Sequence, residues 1–106
     1  MLDQARRGAN GRNLSWVEAD IRRWRADALA DVIYSNAALH WLDDHTTVFP
    51  HILTQLAPGG VLAVQMPHNF AAPSHTCLAA TIESGPWRER LSPMLRHAPV
   101  AAPADY

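Results

Sequence analysis

The chain has 106 residues, enough for one domain with a modest hydrophobic core. Nine Lys and Arg stand against ten Asp and Glu, a formal net charge of −1 with His neutral, which is no electrostatic footprint for DNA or RNA. The lone cysteine, Cys77, excludes an internal disulfide, and no apolar run approaches the ~18 residues of a membrane helix.

No secretory pattern opens the chain, so a cytoplasmic protein is expected. Residues 1–7, "MLDQARR", are helix formers that meet the breaker "GANGRN" and read as the tail of a helix. "SWVEAD" alternates and predicts a short strand over about 15–19 that ends in an acid. "IRRWR" at 21–25 reads as an exposed helical turn with Trp24 packed inward, or as a phosphate or carboxylate contact. "DVIYS" at 31–35 is the second strand, and its continuous apolar run implies burial on both faces.

A crossover helix is predicted over about 45–57, where Val48, Ile52, Leu53 and Leu56 share a face. Thr47 as its N-cap would put Pro50 in the first turn, where a missing N–H costs little. "APGG" at 57–60 is the stop, and "VLAVQM" at 61–66 the third strand, parallel to the second. Residues 67–75 read as a loop and 76–83 as a helix broken by "SGPW", with Cys77 expected as a buried small hydrophobe. Residues 87–97 mix Arg, Leu and Pro. The Ala/Pro-rich stretch 98–106 has too little apolar mass to fold alone. The expected organisation is therefore one incomplete domain over 1–97 and a tail over 98–106.

In open α/β sheets, ligands bind beyond the carboxyl ends of the strands. Three such ends are legible: Asp20 and Ile21, Ser35 and Asn36, and Met66 to Asn69. An acid followed by an aliphatic suits an adenine, although the spacing fits a solvated strand end as well. "SNAALHW" at 35–41 lets backbone and ligand approach closely. Asn36 both donates and accepts, and suits an amino acid moiety. His40 and Trp41 are candidate pocket walls; equally, Trp41 could be core and His40 an exposed helix residue. No pair of His lies at i, i+4 and no Cys pair exists, so no metal site is expected. There is no G-x-S-x-G, Walker or G-x-G-x-x-G motif.

The segments "MLDQAR", "WVEADIRRW", "DVIYSNAALHWLDDH", "FPHILTQLAPGGVLAVQMP" and "NFAAPSH", with the final "PADY", resemble the class I S-adenosylmethionine-dependent methyltransferases. "SNAALHW" is similar to a motif of the carboxyl methyltransferases among them. The resemblance implies a Rossmann-like α/β fold with sheet order 3-2-1-4-5, in which the three predicted strands are the third, fourth and fifth. The family's Gly-rich loop and the acid after its second strand have no counterpart here, so an internal piece of the enzyme is expected. In that sheet the strand at 15–19 would lack its neighbour, and an unpaired buried backbone group costs about 1–3 kcal/mol. Low stability of the isolated chain is the expectation.

The implied function is methyl transfer from S-adenosylmethionine to a carboxylate of trans-aconitate, a small-molecule substrate, giving a monomethyl ester. The chain alone is expected to be inactive. Two alternatives stay open: methylation of a carrier-bound malonyl thioester in biotin synthesis, and a non-catalytic remnant. A carboxylate with a pKa of about 4 is ionised at pH 7, so no general base and no catalytic residue is assigned. The resemblance assigns Asp20 and Ile21 to adenine, and Ser35 and Asn36 to the methionine side of the cofactor. His40, Trp41, His68 and Asn69 are the substrate-side candidates. A tricarboxylate also demands cationic partners, for which the sequence offers no candidate.

Overall fold

The computed structural model describes residues 2–8, 13–96 and 100–106. Helix α1 (Leu2–Gly8) opens the chain, as the helix formers there require. The centre of the fold is a two-stranded parallel sheet of β1 (Ala30–Asn36) and β2 (Leu56–Gln65). Val32 lies opposite Val61, and the ladder runs on in register to Asn36 opposite Gln65. Parallel strands need a crossover. It consists of a 3₁₀ turn at Leu39–Trp41 followed by α2 (His45–Leu53).

Val48 and Ile52, one turn apart on α2, are buried together with Leu39. Ile33 of β1 and Leu62 and Val64 of β2 pack against them, joined by Ile21, Leu42, Phe49 and Met66. This places the core between α2 and one sheet face. Val32, Tyr34 and Val61 are exposed, so the expected burial of β1 on both faces does not hold. A continuous apolar run marks a strand that two layers can cover, and among the described residues only α2 supplies a layer.

The strand predicted over 15–19 is absent: residues 13–20 are irregular and exposed. The alternation of "SWVEAD" is compatible with a strand, but no described strand lies alongside to take its backbone groups. Asp20 instead starts a turn, its carbonyl accepting from the N–H groups of Arg23 and Trp24 at 2.9 and 2.8 Å. Trp24 is half-buried there, as the turn reading anticipates.

Helix α2 is shorter than predicted, and its N-cap position is Asp44 rather than Thr47, with the Asp44 backbone carbonyl accepting from Thr47 and Val48 N–H. Pro50 therefore lies inside the helix, where its ring removes the bond to Thr46. Both residues are exposed, so water can satisfy that carbonyl. The helix begins at the expected residue, where His45 Nε2–H donates to the Leu39 carbonyl at 2.9 Å and ties the first turn to the preceding one.

"APGG" is a break within a ladder rather than the boundary before one. Ala30 pairs with Leu56 and Val32 with Val61, so residues 57–60 bulge out of register. Gly59 sits at φ +80°, a left-handed conformation that glycine adopts without penalty. A Cβ on Gly60 would meet the Ala30 carbonyl at 3.0 Å. Gln55, buried at the junction, joins the layers. Its Oε1 accepts from Ala26 N–H at 3.1 Å, and its backbone carbonyl from Ala30 N–H at 2.9 Å.

Helix α3 (Pro73–Ser84) begins three residues before its predicted start, since Pro73 at N1 lacks only an N–H that would be unpaired anyway. Its inward face runs through His75, Ala79 and Ile82. Cys77 is on the other side and exposed, contrary to the expectation of burial. Helix α4 (Arg88–Leu91) and a 3₁₀ turn at Ser92–Met94 fold back on α3. Ser92 Oγ donates to Glu83 Oε1 at 2.6 Å, and Arg88 pairs with Glu83 Oε2 at 2.8 Å. The boundary expected at 97/98 lies outside the described residues. Beyond it, Val100 is buried, and Tyr106 Oη–H donates to His45 Nδ1 at 2.6 Å.

The Cα radius of gyration is 18.1 Å, against about 13 Å for a compact domain of this length. The chain is elongated, 52 × 36 × 22 Å along its principal axes. Among the described residues no helix is long and apolar enough to cross a membrane.

Candidate functional site

Because β1 and β2 are parallel, their carboxyl ends emerge on one edge. Ser35 lies opposite Val64, half-buried, and Asn36 opposite Gln65, exposed. The Asn36 carboxamide has no partner among the described residues, so both its donors and its acceptor face outward. Ala37 N–H closes the ladder on the Gln65 carbonyl at 2.9 Å. Ala37 has φ +49°, an uncommon conformation for a residue with a Cβ. It turns the chain sharply off the strand at the point where a ligand can meet backbone.

The turn at 20–22 reaches the same edge. Ile21 packs on the Leu39–Val48–Ile52 cluster, and Arg22 Nε approaches Asp44 Oδ1 at 3.4 Å beside the start of α2. Asp20 is exposed; its Oδ1 accepts from Arg22 N–H at 3.0 Å and lies 3.8 Å from the Arg22 guanidinium, while Oδ2 has no hydrogen-bond partner among the described residues. Ile21, by contrast, commits part of its surface to the core.

Beyond this edge lies an open cavity of about 740 Å³. Its walls come from the turn after β1 (His40 and Trp41), the loop after β2 (Asn69, Phe70), α3 (His75) and Arg96. Three of the four substrate-side candidates thus converge on one space. The fourth, His68, lines a smaller cavity of about 240 Å³ between Phe49, Met66 and Tyr106. The four residues assigned to the cofactor line neither space; they lie along the strand edge beside them.

The rings of His40 and Trp41 stand 4.8 Å apart. Trp41 is exposed on its outer side, so it is not core. His40 Nδ1 is buried without a partner among the described residues. The Arg96 guanidinium lies 5.7 Å from the Trp41 ring centre, with its Nη2 bonded to Asp43 Oδ1 at 2.5 Å. The rings of Phe70 and His75, at the start of α3, are tilted by 47° with 5.2 Å between centres.

Arg96 and His75 are site residues that reading the chain misses. His75 falls inside the quoted "NFAAPSH", but nothing in that spacing selects it. Arg96 is 53 positions from Asp43 and is brought in only by the α3–α4 turn-back, which leaves no periodic trace.

The donor set at the edge fits an S-adenosylmethionine in its chemistry. A free carboxamide at Asn36 suits an amino acid moiety, a free carboxylate oxygen at Asp20 suits an exocyclic amine, and Ala37 and Ala38 leave the backbone uncovered. Ile21 fits less well, since its side chain already contributes to the core.

The family model "Methyltransferase domain" matches residues 1–64. A trans-aconitate 2-methyltransferase of Azoarcus sp. (strain BH72) is 45% identical over 93 residues, 88% of this chain and 36% of that protein. Proteins of the same name from Yersinia pestis (strain Pestoides F) and Yersinia pseudotuberculosis serotype O:3 (strain YPIII) are 51% identical over 77 residues, 73% of this chain and 30% of each. The chain thus spans about a third of the length of the curated relatives it matches. With its parallel β–α–β unit and the match over its first 64 residues, the chain belongs to the methyltransferase domain family.

Proposed function

We propose that this chain forms the central part of an S-adenosylmethionine-dependent carboxyl methyltransferase that esterifies trans-aconitate. The observation carrying this reading is the 45–51% identity to proteins named for that reaction.

Asn36, with Ser35, would hold the methionine portion of the cofactor, and Asp20 its adenine amine, with Ile21 bordering the ring. Bound there, S-adenosylmethionine supplies an electrophilic methyl group. The substrate carboxylate is already ionised at neutral pH, so no residue has to remove a proton. The protein's part is to align the two reactants and exclude water, an effect with room for roughly 7–11 kcal/mol. His40, Trp41 and Asn69 line the space next to the strand edge and would orient the acceptor there; His68, in the neighbouring cavity, would border it.

The test is a graft in which this chain replaces the matching third of the Azoarcus relative. The expected product is a trans-aconitate monomethyl ester, detected by mass spectrometry with a labelled methyl donor. A graft that folds and methylates a carrier-bound malonyl thioester instead would favour the biotin-synthesis reading. One that folds and binds no methyl donor would leave only a non-catalytic remnant.

A further inference from the structure

The cavity that receives the acceptor carries a charge asymmetry that bears on which acids it admits. Among the described residues lining it there is no carboxylate, while Arg96 contributes a guanidinium and His40, Asn69 and His75 contribute hydrogen-bonding groups. Arg96 is pre-positioned. Its guanidinium lies by the face of Trp41 and is tied through Nη2 alone to Asp43, which does not line the cavity. Nε and Nη1 have no partner among the described residues. Nη2 carries a second N–H, so with one of its hydrogens anchored on Asp43 the guanidinium retains a two-pronged edge for a second carboxylate.

We propose that Arg96 is the specificity-determining residue of the site and binds a non-reacting carboxylate of the acceptor, selecting di- and tricarboxylates over monocarboxylates. This rests on the carboxyl-methyltransferase reading and names its substrate class. Asp43 has two effects. It holds Arg96 over Trp41 and it competes for the charge that the acceptor needs. A side chain tethered this way is ordered before the acceptor arrives, so less rotamer entropy is lost on binding.

The experiment titrates the whole chain, enriched in nitrogen-15, with trans-aconitate and with crotonate, a monocarboxylate, following the Arg96 Nε–H and Trp41 indole N–H resonances. Trans-aconitate is expected to move both. Arg96→Gln should weaken its binding roughly ten-fold or more, and Arg96→Lys less, while crotonate binding stays within about two-fold. Asp43→Asn should tighten trans-aconitate binding, because a competing carboxylate is removed. A merely structural Arg96–Asp43 pair requires the opposite, a loss. Equal trans-aconitate affinity in Arg96→Gln and the parent, or no shift at Arg96, overturns the assignment. A parallel titration of the grafted enzyme with S-adenosylmethionine separates the two claims. No shift at Asp20 and Asn36, with tricarboxylate binding retained, would sink the methyl-transfer reading and leave Arg96 standing.

Discussion

Asn36 stands opposite Gln65 at the ends of two parallel strands, and the next residue, Ala37, donates its N–H to the Gln65 carbonyl at 2.9 Å. That pairing decides where the chemistry can be. Parallel strands deliver both carboxyl ends to one edge, and the 36–41 and 66–70 segments then open on the same side. An antiparallel pairing would have separated them by the length of the sheet.

Ala37 has φ +49° at this edge, a conformation unfavourable by about 1–2 kcal/mol for a residue with a Cβ. Ala37→Gly should raise the thermal midpoint, by up to about 1 kcal/mol of stability once the extra unfolded-state entropy of glycine is deducted. Calorimetry checks this; a clear loss of stability would mean that the Ala37 methyl group makes a contact worth more than the strain.

Gln55 bonds the 24–30 connection through Ala26 N–H and lies buried between α2 and β2. Gln55→Leu keeps most of the volume and strands the Ala26 donor. The expected loss is about 1–3 kcal/mol in urea unfolding. A neutral substitution would show that Ala26 finds water instead.

Leu39 is 1% exposed and clusters with Val48 and Ile52 of α2. Leu39→Ala should cost about 2–5 kcal/mol, a large part of a typical domain's ~5–15 kcal/mol. The core here is small, so the variant is expected to lose its cooperative thermal transition and its near-ultraviolet circular dichroism.

The elements legible in the sequence are those whose evidence is local. Val32, Ile33 and Tyr34 mark β1, Val48 and Ile52 mark the buried face of α2, and "VLAVQ" marks the paired part of β2. The misreadings involve partners that lie elsewhere. "SWVEAD" has the alternation of a strand, but alternation cannot reveal whether a neighbouring strand exists to receive it. "APGG" breaks the backbone as its glycines suggest, yet Ala30 reaches across to Leu56 and the ladder continues on both sides of the break. His45 ties the first turn of α2 to a carbonyl six residues back, which no capping pattern encodes.

The site divides in the same way. His40, Trp41 and Asn69, named because they follow strand ends, share one cavity. That much follows from sheet geometry. Arg96 arrives from beyond α4, and its link to Asp43 depends on how α3 and α4 turn back.

Asp20 supplies the sharpest test of the cofactor edge. Its Oδ2 has no hydrogen-bond partner among the described residues, while Oδ1 bonds its own turn. In the grafted enzyme, Asp20→Asn should weaken S-adenosylmethionine binding several-fold and preserve the turn, since an amide oxygen can still accept from Arg22 N–H. An unchanged dissociation constant by calorimetry would remove Asp20 from the site.

The most direct test of the central claim, that this strand edge holds a sulfonium methyl donor, is equilibrium dialysis of the grafted enzyme with labelled S-adenosylmethionine, comparing parent and Asn36→Leu. Saturable binding in the parent, weakened roughly ten-fold or more in Asn36→Leu with the fold intact, is the predicted result. Equal binding in the two proteins, or none in a folded parent, would contradict it.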